Sequence, residues 1–481
     1  MTPLPGVQVS SRSQPPSRGI STDVGAWFVV GAAQKGPTTK AQLVRNMTEF
    51  QLYFGTRQSY SLLWDALETF FREGGSQAYV VRVAGASAVT ATKTLMDSQG
   101  TPVASLRVDA KNPGVWGNSL NVAVVAGASG SERVIVITLG SVEVDRSPSF
   151  ADQATAVAWS LNSDWVNVVI PGGASTNLPA VAGAAALTSG ADDNSGITDN
   201  QRQAALAYFT RDLGPGQVSI PGNTTTANLQ ALVAHARAYN RQALLDGTDT
   251  ASRSTLVTQA EALQGDEYGA IFAPWVLIPG IVGNTSRTVP PSAVVAGLMA
   301  RSDATQSPNV PAAGDNGRAK YALGLSQVAW TDTDRQLLND DNVNVFRQIS
   351  GQVTLYGYRT LMNPNGDTSW QWLSNQRLRL KITAEAEKVA EGFLFDQIDG
   401  KGQKIAEFGG ALSAVLLGYY NAGSLYGDTP SEAFSVDVGE SVNTPTTLAA
   451  GELRAVLSMI MSPLAEVVKI EITKVPVGQA I

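Results

Sequence analysis

Four short apolar runs in this sequence each give way to proline or glycine. Ala26-Trp27-Phe28-Val29-Val30 stops at Gly31, residues 166–170 at Pro171-Gly172-Gly173, and Gln217-Val218-Ser219-Ile220 at Pro221-Gly222; residues 268–272 lead into Ala273-Pro274-Trp275. Short, largely apolar runs of this kind suit strands buried on both faces. Helical patterns separate them. Residues 60–72 put Leu63, Leu67, Phe70 and Phe71 on one face and stop at Gly74-Gly75. Residues 200–213 and 229–244 also read as helices, and Tyr79-Val80-Val81-Arg82-Val83 as a further strand. Strands alternating with helices predict a central α/β domain with a mostly parallel sheet, over residues 21–90 and 166–355.

Residues 91–165 break that rhythm. Leu106, Val108, Val122, Val124, Val134, Val136, Val142 and Val144 alternate with other residues between turn-forming Gly, Asn and Pro, so a β-rich insertion is expected there. The stretch 356–466 reads as a third, α+β domain. In it 384–396, 409–420 and 448–461 look helical, 378–382 is a strand or helix start, and Phe434-Ser435-Val436-Asp437-Val438 alternates.

The two ends stand apart. Residues 1–20 are rich in Pro, Ser and Arg around Val7-Gln8-Val9-Ser10, and Pro15-Pro16 forbids a helix, so an extended arm with one short strand is expected. Residues 467–481 form a second arm. In it Val468, Ile470 and Ile472 point one way and Lys469, Glu471 and Thr473 the other. Such alternation demands a partner sheet, in this chain or in another copy.

Composition removes several function classes. The 481 residues carry 34 Lys+Arg against 41 Asp+Glu, a net charge of −7, with no basic run to follow a nucleic-acid backbone. No apolar stretch is long enough to span a membrane, and the N-terminus lacks a signal-peptide core. With no cysteine there is no disulfide and no thiolate chemistry. The one histidine, His235, lies in a helical pattern beside Arg237 and reads as structural; no Gly-x-Ser-x-Gly elbow accompanies it. Zinc lacks ligands. The oxygen-rich loops 191–196 and 363–367 lack EF-hand spacing and read as turns. No phosphate-binding loop occurs, so no catalytic residue, cofactor or metal is expected, and mechanical work would draw on energy stored at assembly.

Several motifs, taken in order, resemble the tail sheath proteins of contractile bacteriophages and related injection particles. They begin with Pro5-Gly6-Val7-Gln8-Val9, Gly31-Ala32-Ala33-Gln34-Lys35-Gly36-Pro37 and Thr48-Glu49-Phe50. Asn112-Pro113-Gly114-Val115-Trp116-Gly117-Asn118, Val289-Pro290-Pro291-Ser292 and Tyr358-Arg359-Thr360-Leu361 follow. The end matches through Ala450-Gly451-Glu452-Leu453 and Ser462-Pro463-Leu464-Ala465-Glu466. Each motif is unspecific alone; their order and spacing are not. Two departures are Ser10-Ser11-Arg12, where the family often has an acid, and 308–312, which lacks an expected tryptophan.

The resemblance implies a subtilisin-like central sheath domain and a non-enzymatic subunit of a virion tail, assembled in the bacterial host cytoplasm. Homo-hexameric rings would stack helically around a tail tube protein, meeting baseplate and terminator proteins at the ends, without direct contact with nucleic acid or membrane. Contraction would drive the tube through the host envelope to deliver the genome; the same device also serves non-phage injectors. Strand exchange would use Val7, Gln8, Val9 and Ser10 with Val468, Lys469, Ile470, Glu471, Ile472 and Thr473. Residues 377–404 are the most basic stretch, and Lys388, Lys401 and Lys404 are its candidates for facing the tube. Two rivals from the residues alone are a hydrolase-like enzyme and an adhesion module in 91–165.

Overall fold

The first apolar run becomes an inner strand of a parallel sheet. The computed structural model describes residues 21–327, 330–363, 365–466 and 469–471, so the arm 1–20 and most of the alternating segment at the other end lie outside the described residues. Strand β1 (Trp27–Ala32) is followed by β2 (Gln42–Val44), helices α1 (Met47–Phe54) and α2 (Leu63–Glu73), and β3 (Ala78–Val83). β1 and β3 run parallel, with Trp27 opposite Ala78. Helix α2 ends at Gly74, whose φ of 118° and close approach to Arg301 leave no room for a side chain.

The chain then builds antiparallel strands: β4 (Thr92–Met96), β5 (Ala104–Ala110), β6 (Leu120–Ala126), β7 (Arg133–Leu139) and β8 (Val142–Arg146), then α3 (Gln153–Leu161), β9 (Val166–Val169) and β10 (Ala182–Ala186). They form two sheets, β4-β5-β9 and β10-β6-β7-β8. Leu106, Val108, Val122, Val124, Ile135 and Ile137 share one buried core. The run at 166–170 does not reopen the parallel sheet as expected. β9 pairs antiparallel with β5, Val168 opposite Val108; a four-residue apolar run looks the same in either setting.

The parallel sheet resumes with α4 (Asp199–Ala205), β11 (Gly216–Ser219), α5 (Thr226–Ala238), β12 (Arg241–Asp246), α6 (Arg253–Glu261) and β13 (Gly269–Ala273). A small antiparallel sheet of β14 (Val276–Pro279), β15 (Ser286–Val289) and, beyond α7 (Pro291–Thr305), β16 (Gly324–Leu325) branches off. Helix α8 (Asp332–Asp340) leads back to the large sheet, which β17 (Val343–Ile349) and β18 (Gln352–Leu355) complete. The large sheet has the order β18-β17-β13-β12-β11-β1-β3-β2, parallel from β17 to β3. Period-two alternation sends Trp27 and Val29 into one apolar cluster with Phe70 and Leu298, and Phe28 and Val30 into another with Leu232 and Leu245. Residues 229–244 are not one helix. Asn240 takes φ 55°, ending α5, and every residue from Arg241 to Asp246 is buried as strand β12.

The protein divides into two compact units, Met1–Lys381 and Ile382–Ile481. Helix α9 (Leu373–Glu391) spans the division and contains residues 378–382. The second unit continues with α10 (Gln403–Asn421), α11 (Pro430–Ala433), β19 (Phe434–Asp437), α12 (Pro445–Ala449) and β20 (Val456–Met459). The helix expected over 448–461 is therefore corrected: α12 stops at Ala449, Gly451 takes φ 77°, and Val456-Leu457-Ser458-Met459 forms a strand.

Candidate assembly interface

The second unit carries a sheet of only two strands. β19 and β20 pair antiparallel, Phe434 opposite Met459 and Val436 opposite Leu457. These four apolar side chains share one half-buried face, while Ser435, Asp437, Val456 and Ser458 are exposed on the other. Helix α10 covers the apolar side, where Gly409 comes so close to Val438 that a Cβ would lie 2.8 Å from it. Among the described residues no third strand joins this sheet; a single bridge, Leu425 opposite Met461, prolongs it. Two strands alone are marginal in water, and an open edge offers unpaired N–H and C=O groups to any strand that reaches it.

Of the residues expected to exchange strands, Val7, Gln8, Val9, Ser10, Val468, Ile472 and Thr473 lie outside the described residues. Lys469, Ile470 and Glu471 are described; they are exposed and in no strand, with Ile470 81% exposed.

The basic stretch 377–404 splits by role. Arg377 is fully buried and ion-paired with Asp303, Arg379 reaches Glu267 at 2.9 Å, and Lys381 Nζ donates to the Thr22 carbonyl at 3.2 Å. These three fall in the most basic stretch of the sequence, yet each is tied to a partner in the first unit. Lys388 and Lys401 are exposed. Lys404 lies 3.0 Å from both Glu407 and Asp396, which raise its pKa, so its charge is matched locally.

The groups weighed for catalysis and metal binding all have structural work. His235 Nε2 lies 2.9 Å from Arg241 Nη1 and accepts from it, and burial together with that arginine lowers the imidazole pKa to about 3. The Arg241 guanidinium stacks 3.7 Å from the Phe28 ring and donates to the Phe209, Thr210 and Gly214 carbonyls. In the loop 191–196, Asp192 accepts from the Val115 amide and Asp193 from the Ser87 amide. In 363–367, Asn363 and Asp367 accept from the amides of Asn365 and Ser369. Among the described residues no three His, Asp or Glu side chains gather as metal ligands, and no helix is long and apolar enough to cross a membrane.

Doubly wound sheets bind ligands where strand order reverses, here at the carboxyl ends of β1 and β11. A crevice of about 240 Å³ lies there, lined by Tyr60, Ser61, Arg202 and Asn223 among others. Ser61 Oγ donates to the Ala32 carbonyl at 2.6 Å and Arg202 is held by Asp199 at 3.1 Å. His235 is not among its walls, so no imidazole stands beside the serine.

Sequence reading missed β20, the second strand of the candidate interface. Its signal was present in the alternation Val456, Ser458, Ile460 against Leu457, Met459, Met461, but the helix formers before Gly451 masked it.

Comparison with known proteins agrees with this architecture. No curated protein sequence matches the chain. Solved structures share its fold at low identity. A chain of the anti-feeding prophage baseplate is 16% identical, with 98% of this chain and 99% of that one covered and a TM-score of 0.60. The sheath tail protein of Listeria innocua is 14% identical, covering 88% and 90%, with a TM-score of 0.63. The contracted sheath of the extracellular contractile injection system PVC is 15% identical, covering 98% of each chain, with a TM-score of 0.57. Two family models match in sequence: the phage tail sheath protein beta-sandwich domain over residues 84–192, and the phage tail sheath protein central domain over 215–361. Together they span more than half of the chain and fall on the antiparallel sheets and the parallel sheet just described, so the chain belongs to the phage tail sheath protein family and is a structural subunit of a contractile sheath.

Proposed function

We propose that this subunit polymerises as stacked hexameric rings around an inner tube, each copy completing its neighbours' C-terminal sheets with its own end strands. The observation that carries this reading is the two-stranded sheet β19–β20, covered by α10 on one face and without a third strand among the described residues. A strand from another chain satisfies the open edge by β-augmentation. Residues 7–10 and 468–473 have the required alternation. Val468, Ile470 and Ile472 would continue the apolar face of Phe434, Val436, Leu457 and Met459, leaving Lys469, Glu471 and Thr473 beside Ser435 and Ser458.

In this reading the central α/β domain, subtilisin-like in the family, forms the body of the ring. The insertion, 91–165 in the sequence reading, faces outward, and the domain 356–466 faces inward between the arms 1–20 and 467–481. Lys388 and Lys401 turn towards the tube, with Lys404 a weaker candidate because its charge is matched. The extended lattice is metastable, and its contraction drives the tube through the host envelope for genome delivery. Baseplate and terminator proteins hold the two ends of the virion tail, which assembles in the host cytoplasm. The alternative is a non-phage injector, since chains from the anti-feeding prophage and PVC particles share the fold just as the Listeria innocua sheath tail protein does; DNA content of purified particles separates the two.

Removal of residues 467–481 tests the exchanged strand. Electron microscopy should show sleeves from the full chain and only unassembled, folded protein from the truncated one. Sleeves of normal length from the truncated chain would end the proposal. Lys388→Glu with Lys401→Glu should leave empty sleeves that no longer co-sediment with tube; undiminished tube loading would remove those lysines from the contact.

A further inference from the structure

Two motifs singled out in the sequence meet where no role in strand exchange or tube contact places them. Lys35-Gly36-Pro37 follows β1, and Asn112 to Trp116 precedes β6. Arg82, on β3, ties them together: its Nε donates to the Ala33 carbonyl at 2.9 Å and its Nη1 to the Pro113 carbonyl at 2.8 Å. In front lies an open groove of about 480 Å³, walled by Lys35, Lys40, Lys111, Trp116, Trp165 and Asp164 among others.

The groove is short of negative charge. It presents three lysines and one aspartate. Lys35 Nζ stands 4.3 Å from the Trp165 ring centroid, and among the described residues it makes no ion pair. Burial lowers its pKa, and no acidic neighbour offsets the effect. Burial also lowers the pKa of Lys111, and Lys40 adds to this while Asp164 and Asp145 oppose it; Lys111 Nζ donates to the Ser160 carbonyl at 3.0 Å. A half-desolvated ammonium without a counter-ion is a costly feature that an arriving anion would relieve.

We propose that this groove seats an acidic loop from a second copy of the chain, with its carboxylate on Lys35. Charge complementarity selects that occupant. The chain is acidic overall, at −7, yet it gathers three lysines here, and a sheath subunit is surrounded by copies of itself. Leu52, 55% exposed at the groove's edge, gives the loop an apolar rest beside the cations. The proposal rests on self-assembly but not on strand exchange, since every residue in it belongs to the first unit.

Carbodiimide treatment of assembled sleeves tests it, because this reagent joins a lysine to a touching carboxylate. Sleeves are grown from mixed ¹⁵N-labelled and unlabelled full-length chains, and cross-linked peptides are read by mass spectrometry. Mixed-isotope links from Lys35 or Lys40 to an Asp or Glu are expected in sleeves and absent from unassembled protein. Lys35→Met should raise the protein concentration for half-assembly roughly tenfold, as loss of one partner of a partly buried charge pair does, and Lys35→Arg should restore it. Sleeves that form without inter-copy links at Lys35 or Lys40 would overturn the proposal and leave the assembly reading intact. So would Trp fluorescence changes on adding inorganic phosphate to unassembled protein, if Lys35→Met assembled normally; the groove would then hold a free anion. Failure of the unaltered chain to form sleeves would overturn the assembly reading and this proposal with it.

Discussion

Asp246 and His235 are both buried in the first unit, and burial drives each towards its neutral form. Asp246 accepts from the Gly222 and Ser292 amides and the Ser292 hydroxyl, yet desolvation outweighs these bonds and pushes its pKa up to about 6. His235 is pushed down to about 3 by burial and by Arg241. The two pH dependences oppose each other. Between pH 3.8 and about 6 the native state binds more protons at Asp246 than the unfolded chain does, so that contribution is full below 3.8 and is lost as pH rises through 6. At His235 the unfolded chain binds more, so that contribution is full above pH 6.5 and is lost as pH falls towards 3. Between pH 4 and 6 they offset. Asp246→Asn should therefore make stability rise with pH relative to the unaltered chain, by up to about 1.4 kcal/mol per pH unit, and His235→Gln should make it fall by a similar slope. Urea-unfolding midpoints of the first unit across this range measure both; variant profiles parallel to that of the unaltered chain would refute the burial account.

Among the elements, α10 and the sheet beneath it show how a single missing side chain sets a packing distance. Gly409 faces Val438, whereas Gly410, one residue on, has nothing within 4 Å of where a Cβ would be. An added side chain should thus have opposite effects at adjacent positions. Gly410→Ala should stabilise the second unit by about 1 kcal/mol, through helix propensity alone. Gly409→Val should destabilise it by about 1–3 kcal/mol as α10 is forced off β19. Thermal midpoints of the two variants decide this, and a stabilising Gly409→Val would mean that α10 does not hold the sheet. The contrast between α5 and β12 works similarly. Asn240 can take a left-handed φ, so a pattern that reads as one helix over 229–244 is cut in two.

At the scale of the whole molecule, apolar burial is uneven. The three large apolar clusters draw all their residues from the first unit. Among the described residues the second unit buries few apolar side chains, among them Phe408, Leu412, Leu416 and Leu425, and exposes Leu394, Phe395, Tyr426, Val456 and Ile460. A unit with so little interior is marginal alone. Calorimetry of unassembled protein should show two transitions, the lower from the second unit. Assembly should raise that lower midpoint, because binding stabilises only the folded state. One cooperative transition, unmoved by assembly, would show that the second unit needs no neighbour.

Local pattern was enough for much of this protein. The apolar run at Trp27, the period-two run through Val122 and Val124, the helix ended by Gly74, and the order of motifs that resembles tail sheaths are all written in adjacent residues, because strand and helix periods are local properties. Distance in the chain hid the rest. Nothing near Arg377 says that Asp303 will neutralise it, so a buried arginine counts towards the most basic stretch of the sequence. Nothing near residues 166–170 says that they pair with β5 rather than with the parallel sheet. Lys35 and Trp165 lie 130 residues apart, and only the fold, stapled by Arg82, brings that ammonium over that ring. Local sequence marks most of the strands and helices, though not the breaks at Asn240 and Gly451 that turn the ends of two helical patterns into strands. Which charges end up matched, buried or left open for a neighbour is a matter of long-range packing, and only the tertiary structure decides it.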